Sequence, residues 1–484
     1  MARSDVKFAG AAPARSGFGR LASFAHKRVV GALVLAIVGE YFAVCLARPD
    51  HGPPSVYPLY AQLTDAFLAG TTSLPVEPDP RLLALPNPYR PNAPYRLHDA
   101  SLYKGKYYLY FGPTPVLILF LPFKLVTGAE LPGTVAVPLF CSLGFLCSCG
   151  VFYVLIRRAG WSCRLWLEIL VILALGNTQL VCFLLVRAAV YETAISSGYF
   201  LVMAGFLLAA WSLGVRKRLW FVFLSGLCFG LAVGCRPHFA LLAILMTAFI
   251  ALQFRQSVAT FSLFVAPILV AGALLAAYNY VRFDNPIEFG VTYQLSGNPE
   301  GPSTHLKASN FFPGIEHLLL MPPVLNTEFP YLHPVFASPY LSYRSSPEGP
   351  DGILQEAQIG LFAAAPLTIF GLLWFWLLPV VPGNSEGAGF TIWLIRTMVL
   401  CALAVVCLLS LTGWAVGRYE VDFAPLMILA SCCVLAGVWQ KGGISASRRR
   451  LLRWCVLACV AWSVLLNVAI ESPRLDLIGQ FLEH

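Results

Sequence analysis

Three aspartates stand in the first long polar stretch of this chain: Asp50 in RPDHG, Asp65 in VYPLYAQLTDAFLAG and Asp99 in LHDASLYKGKYYLYFGPTP. A carboxylate held near an apolar boundary can act as general base on a hydroxyl or amine. The bland alternative is that each acid only solvates or caps a loop. Arg236 (GCRPHFA), Arg282 (YNYVRFDNPIEFG) and Arg418 (GRYEVDFAP) form the complementary set, with Tyr419 beside Arg418 and Glu192 in RAAVYET. A guanidinium fork matches the oxygens of a phosphate or diphosphate. The competing reading is snorkelling to headgroups, or a local ion pair such as Arg187 with Glu192. Lys104 and Tyr107, close behind Asp99, complete the candidates for contact with a substrate. His305, His317 and His333 are too scattered for a metal site. No phosphate-cradling glycine loop, GxSxG or HExxH motif is present, so nucleotide-driven chemistry and a built-in cofactor are not expected.

The elements that must position these residues are set by composition. Of 484 residues, 58% are hydrophobic and 12% charged, against about 25% charged in soluble domains. That leaves too little polar surface to cover a water-soluble enzyme, and 13% aromatic residues oppose disorder. The sequence is that of an all-α polytopic membrane protein. Apolar stretches of about 20 residues fall near 29–47, 131–156, 165–186, 190–213, 219–235, 238–254, 258–281, 358–380, 391–412, 421–439 and 454–472, about eleven transmembrane helices. The 14 cysteines lie in or beside these stretches and form no disulfide framework. A net charge of +9 is spread in short basic groups, which set membrane orientation and do not indicate nucleic acid.

Those groups alternate. Arg15, Arg20, Lys27 and Arg28, then Arg157 and Arg158, Arg216 with Lys217 and Arg218, Arg255, and Lys441 with Arg448, Arg449, Arg450 and Arg453 share one side if residues 112–126 do not cross. That stretch is short, begins at Gly112-Pro113 and contains Pro122 and Lys124, features of an interfacial or re-entrant segment. The expected organisation is a basic cytoplasmic segment over 1–28, a transmembrane module over 29–281 and C-terminal helices over 358–484. Two long extracytoplasmic loops, 48–130 and 282–357, carry interfacial helices, and the C-terminus is extracytoplasmic. Glu40 and Glu168 fall inside spans, where ionisable groups are costly. The clusters of Glu192, Arg236 and Arg418 fall on the side of the long loops.

This order resembles that of the GT-C glycosyltransferases, and is most similar to the protein-mannosyltransferase and lipid A aminoarabinose transferase branch. Residues 57–75 (YPLYAQLTDAFLAGTTSLP) look like the helix after the catalytic acid of that branch. The run YYLYFGPTPVLILFLPFKLVTG from Tyr107 looks like its Pro-containing segment before the second span. RAAVYET, GCRPHFALL, YNYVRFDNPIEFGVTYQL and GRYEVDFAP look like motifs of uncharacterised bacterial membrane proteins in the same broad group. The resemblance implies inverting transfer from a polyprenyl-phosphate-linked sugar donor to a glycan, lipid or protein acceptor on the outer face of a bacterial inner membrane. It implies a first-loop acid as base. Asp50 matches by position, with Asp50-His51 where the branch has an acidic pair, and Asp65 is the second choice. Loop aromatics would stack on sugar rings, and a divalent metal stays open.

Three rivals remain. A transporter or flippase of a lipid-linked glycan would need a midplane polar pathway and repeated broken helices. An O-antigen-ligase-like transferase would use Arg282, His305 and His333 in the late loop. A non-catalytic subunit would bind a partner through its loops.

Overall fold

Long apolar runs dictate helices here because every backbone group must be paired within its own segment when no water is at hand. The computed structural model describes residues 17–47, 58–90, 93–213, 218–254, 257–295, 306–325, 327, 331–337, 343–344, 356–377, 386–412, 416–440 and 444–482. Asp50 and His305 lie outside them. Among the described residues, six helices are long and apolar enough to cross a membrane: His26–Leu46, Gly133–Arg158, Val190–Ser212, Val258–Phe283, Glu386–Ser410 and Ala446–Ser472.

Helix α1 (Gly17–Leu46) leads to α2 (Leu59–Leu68), the short α3 (Pro80–Leu83), and a hairpin of β1 (Ala100–Tyr103) with β2 (Lys106–Leu109). The all-α expectation therefore misses small antiparallel sheets. The hairpin turns at Lys104-Gly105, both with positive φ, 48° and 70°, as its two-residue loop requires. Val116–Phe120 and α4 (Leu121–Thr127) follow. These twelve residues reach about 18 Å, well short of the ~30 Å hydrocarbon core. Gly128, φ 71°, stops α4 in the left-handed conformation that glycine tolerates best.

The bundle proper comprises α5 (Gly133–Arg158), α6 (Leu165–Asn177), α7 (Cys182–Leu185), α8 (Val190–Ser212), α9 (Leu219–Val233), α10 (Ala240–Gln253) and α11 (Val258–Phe283). The predicted span 165–186 is thus broken at Asn177. Helix α8 packs against both α5 and α9, and α9 against α11. Close approach depends on small residues: Gly226 lies where a Cβ would sit 2.0 Å from the Phe264 carbonyl oxygen. In the absence of a hydrophobic drive between helices in lipid, such backbone proximity is how spans associate.

The later chain holds α12 (Phe311–Ile315), strand pair β3 (Val324–Leu325) with β4 (Leu332–His333), and a three-stranded sheet of β5 (Val335–Ala337), β6 (Tyr343–Arg344) and β7 (Glu356–Gln358). The predicted span 358–380 is not one helix. It breaks into α13 (Leu361–Ala364), a tight turn at Pro366–Thr368, α14 (Ile369–Leu372) and α15 (Trp374–Leu377). Pro366 lacks the amide a continuing helix needs, and Ala365 leaves helical geometry at φ −131°, ψ 74°. Helix α16 (Glu386–Ser410), the turn α17 (Gly417–Glu420), α18 (Ala424–Trp439) and α19 (Ala446–Leu482) complete the chain.

The two ends of the bundle differ in kind. At one, Arg158 donates to the carbonyls of Ala210 and Leu213 at 2.8 and 2.5 Å, and Gln440 bonds to Ser162. At the other, Arg282 of α11 donates to the Leu109 carbonyl of β2 at 2.5 Å and to Asn279 Oδ1 at 2.6 Å. That second end, here the hairpin end, also receives the starts of α5 and α8 and the end of α9.

Candidate active site

The site at the hairpin end begins with two glycines. Gly112, in the segment after β2, lies so near the end of α9 that a Cβ would sit 2.0 Å from the Gly234 carbonyl oxygen. Thr114 donates through its amide to that same oxygen at 3.2 Å and through Oγ1 to Leu231 at 2.9 Å. This seam brings the first-loop backbone onto the residues that lead into Arg236. On the other side of the hairpin, Ser101 pairs with Gln294 in an isolated bridge, the Leu295 amide donates to the Ala100 carbonyl at 2.9 Å, and the Asp99 amide donates to the Leu295 carbonyl at 3.2 Å. Asp99 has a φ of 61°, a left-handed conformation that Asp tolerates better than most residues.

From there a continuous chain of side chains runs across the hairpin end. Asp99 Oδ1 accepts from Tyr191 Oη and from Gln294 Nε2, both at 3.2 Å, and Gln294 Nε2 also meets Tyr191 Oη at 3.1 Å. His98 Nε2 lies 3.4 Å from Asp99 Oδ2. The Arg418 guanidinium sits 4.6 Å from the Tyr191 ring centre and 5.4 Å from that of Tyr419. Arg236 flanks Tyr419 at 4.6 Å and pairs with Asp422 at 2.5 Å, while His238 Nε2 is 3.1 Å from the same Asp422 oxygen. Glu192 lies between two cations, with Arg187 Nε and Arg418 Nη1 each 3.9 Å from its Oε1. Phe111 packs edge-on against Tyr191 at 5.0 Å.

The local sequence explains the arrangement. Arg418, Tyr419 and Asp422 belong to one turn, α17 and its continuation, which enters α18 with Pro425 in its first turn. Residues at i and i+4 share a helical face, so Arg418 and Asp422 look the same way. Glu420 points elsewhere. It is fully buried, and neither carboxyl oxygen has a hydrogen-bond partner among the described residues. Burial therefore pushes its carboxyl well above the usual carboxylate range. Arg236, Arg418, Glu192 and Asp422 are each under a tenth exposed, where cation and anion must compensate one another.

Chemically, the row offers a carboxylate held by two donors, cations stacked on aromatic faces, and a second buried cation–carboxylate pair. Asp99, Glu192, Arg236, Arg418 and Tyr419 among the sequence candidates converge here. Tyr191 and Gln294 join them without standing out in the sequence, since their only signal is membership of RAAVYET and VTYQL.

Other candidates are occupied elsewhere. Asp65 forms an ion pair with Lys124 of α4, which also lies 3.8 Å from Glu130, and so ties α2 to α4. Lys104 pairs with Asp284 at 2.6 Å in the open, where Tyr103 also donates to Asp284 at 2.9 Å. Those two donors hold the Asp284 carboxyl below the usual carboxylate range. Tyr107 is buried, its hydroxyl receiving the Leu97 amide at 3.3 Å. Arg282 is 1% exposed and bound to backbone and amide oxygens, with Tyr278 and Phe283 against its plane at 4.0 and 4.6 Å. Tyr107 and Arg282 thus hold the hairpin in place and do not face the row. His317 meets Gln358 at 3.3 Å. Among the described residues, no three His, Cys, Asp or Glu side chains gather as a metal-binding group.

No family model and no curated protein matches this sequence. Among solved structures, it is similar to the archaeal oligosaccharyltransferase AglB from Archaeoglobus fulgidus in complex with an inhibitory peptide and a dolichol-phosphate, at 12% identity and a TM-score of 0.43, over 91% of this chain and 56% of that one. The oligosaccharyltransferase of Archaeoglobus fulgidus tethered with an acceptor peptide gives 13% identity and 0.42, over 91% and 55%. Its apo form gives 11% and 0.41, over 91% and 56%. This chain thus spans little more than half the length of those proteins, and the functional reading rests on its own residues at the hairpin end.

Proposed function

We propose that this chain is a membrane glycosyltransferase of GT-C type, which transfers a sugar with inversion from a polyprenyl-phosphate-linked donor to an acceptor at the extracytoplasmic face. The observation that carries the reading is the unbroken row from Asp99 through Tyr191, Arg418 and Tyr419 to Arg236 and Asp422. Acid and cations at one bundle end are what displacement at a sugar carbon needs, provided the lipid tail stays in the bilayer.

In this reading Asp99 is the base. Its second oxygen takes the proton of the acceptor hydroxyl or amine while Tyr191 and Gln294 hold the first, which fixes the lone-pair direction. Arg418, backed by Tyr191 and Tyr419, meets the phosphate and stabilises the negative charge that grows as the sugar leaves. Arg236 is committed to Asp422 and acts mainly by holding Tyr419 and the α17 turn. Lys104 contributes nothing to this step. Asp50 lies outside the described residues and is the competing base that the family resemblance favours.

The experiment is a binding and turnover assay in nanodiscs with a panel of polyprenyl-phosphate sugars. Asp99→Asn keeps donor binding and loses turnover by about 10²–10⁴-fold, the range of a positioned general base. Arg418→Ala weakens donor binding by about 10–100-fold. Full turnover in Asp99→Asn with loss in Asp50→Asn would transfer the base to Asp50. Absence of binding to every donor of the panel sinks the proposal.

A further inference from the structure

A second polar group lies inside the bundle, where α6 stops. Residues 178–181 link Asn177 to α7 in non-helical backbone, with Leu180 in the left-handed region at φ 62°. Such backbone in a membrane bundle persists only where protein buries it or it lines a cavity. A broken span is also a place where exposed backbone groups and half-helix ends meet ions.

Three helices converge on the break. Glu40 of α1 accepts from Asn177 Nδ2 through both carboxyl oxygens, at 3.0 and 2.9 Å. Glu471 of α19 accepts from Asn467 Nδ2 at 3.0 Å and is close enough to Glu40 for the two carboxyls to interact electrostatically. Helix α19 packs on α6, α7 and α1. Neither Glu40 nor Glu471 forms a salt bridge among the described residues, so two acids stand together without a cation.

Two buried acceptors are left over as well. Asn177 Oδ1 and Glu471 Oε2 belong to residues 4% and 1% exposed, and neither has a hydrogen-bond partner among the described residues. Buried acceptors of this kind are costly and rare. A cation holds its oxygens at about 2.3–2.6 Å on each side. It can therefore bridge oxygens too far apart to share a proton, and it cancels the acidic charge. The buried Gln179 Nε2, unpartnered two residues beyond Asn177, would be met by a water of the ion.

We propose that Glu40, Asn177 and Glu471 form an intramembrane site for a small hard cation at the break between α6 and α7. Carboxylate and amide oxygens with no sulfur or imidazole select such ions over zinc or copper. Sodium and calcium are the two sources of that chemistry, and separate titrations tell them apart.

The test uses the full chain in nanodiscs, stripped with chelator into choline chloride. NaCl or CaCl2 is then added at constant ionic strength while Tm and bound radiolabelled sodium or calcium are followed. The expected result is saturable binding of one ion, with a Tm that rises and levels off with its concentration. In Glu471→Gln the binding weakens more than about tenfold. Asn177→Ser, which keeps a hydroxyl at the break, serves as a second variant should Glu471→Gln fail to fold. No saturable binding of either ion to the wild type overturns the proposal, as does unchanged binding in a folded Glu471→Gln. Loss of glycosyl-donor binding bears only on the separate reading of the hairpin end.

Discussion

Asp99 and Glu420 are both acids near α17, and their surroundings give them opposite tasks. Asp99 is held by two donors and keeps one oxygen toward the neighbouring His98. Glu420 has no hydrogen-bond partner among the described residues, so its neutral form is the one burial favours. A carboxyl whose folded pKa is raised binds a proton that the unfolded chain has already released. Its contribution to stability is present below the ordinary value of about 4.3 and declines as pH rises toward the folded value. Glu420→Gln, neutral at every pH, should therefore leave the fold intact and flatten the fall of Tm between mildly acidic and alkaline buffer. A steeper fall than wild type would show that the charged carboxylate is the stabilising form. Arg282 teaches the converse. An arginine in a loop motif reads as a phosphate ligand, yet its fork here closes on Leu109 and Asn279.

Among the elements, the seam between the first-loop segment at Gly112 and the end of α9 at Gly234 does most to join the two halves of the row. Gly112→Ala places a methyl 2.0 Å from a backbone oxygen, and neither side is a flexible side chain that could move aside. The substitution should cost about 1–3 kcal/mol, the range for overpacking a tight site. Thermal unfolding measures it, and turnover should fall as well because Arg236 follows Gly234 by two residues. Gly272, whose added Cβ meets nothing within 4 Å, is the control, and an equal loss in Gly272→Ala would remove the seam from the explanation. The breaks at Asn177 and Ala365 belong to the same scale. Sequence windows measure apolar length, and an apolar segment stays apolar when its helix is interrupted. Burial against neighbouring helices supplies the partners that let the backbone leave helical geometry.

At the scale of the molecule, the alternation of basic groups predicts which end faces the cytoplasm. The contacts agree in grouping Arg158, Arg218 and the Gln440–Ser162 junction away from the hairpin. Exposed Lys106 on the hairpin and exposed Arg450 at the start of α19 report on opposite faces. A cysteine at Lys106 should react with a membrane-impermeant maleimide in intact cells, and one at Arg450 only after permeabilisation. The reverse pattern would invert the molecule and place the row on the wrong side for an extracytoplasmic donor.

Composition alone decided that this chain lives in a bilayer, because 12% charged residues cannot clothe a soluble protein of 484. Charge grouping predicts which loops face the cytoplasm, and the motifs at span ends pointed to Glu192, Arg236 and Arg418, since buried charge in lipid is too costly to be placed idly. Which first-loop acid joins their row was not legible. Asp65 and Asp99 look alike along the chain, and only folding pairs the first with Lys124 and the second with Gln294, 195 positions away. Arg236 likewise finds Asp422 across 186 positions. Local pattern records how a segment meets water or lipid. Partners this distant in sequence are chosen by helix packing, where glycines set how near two backbones come, and only the tertiary structure contains that information.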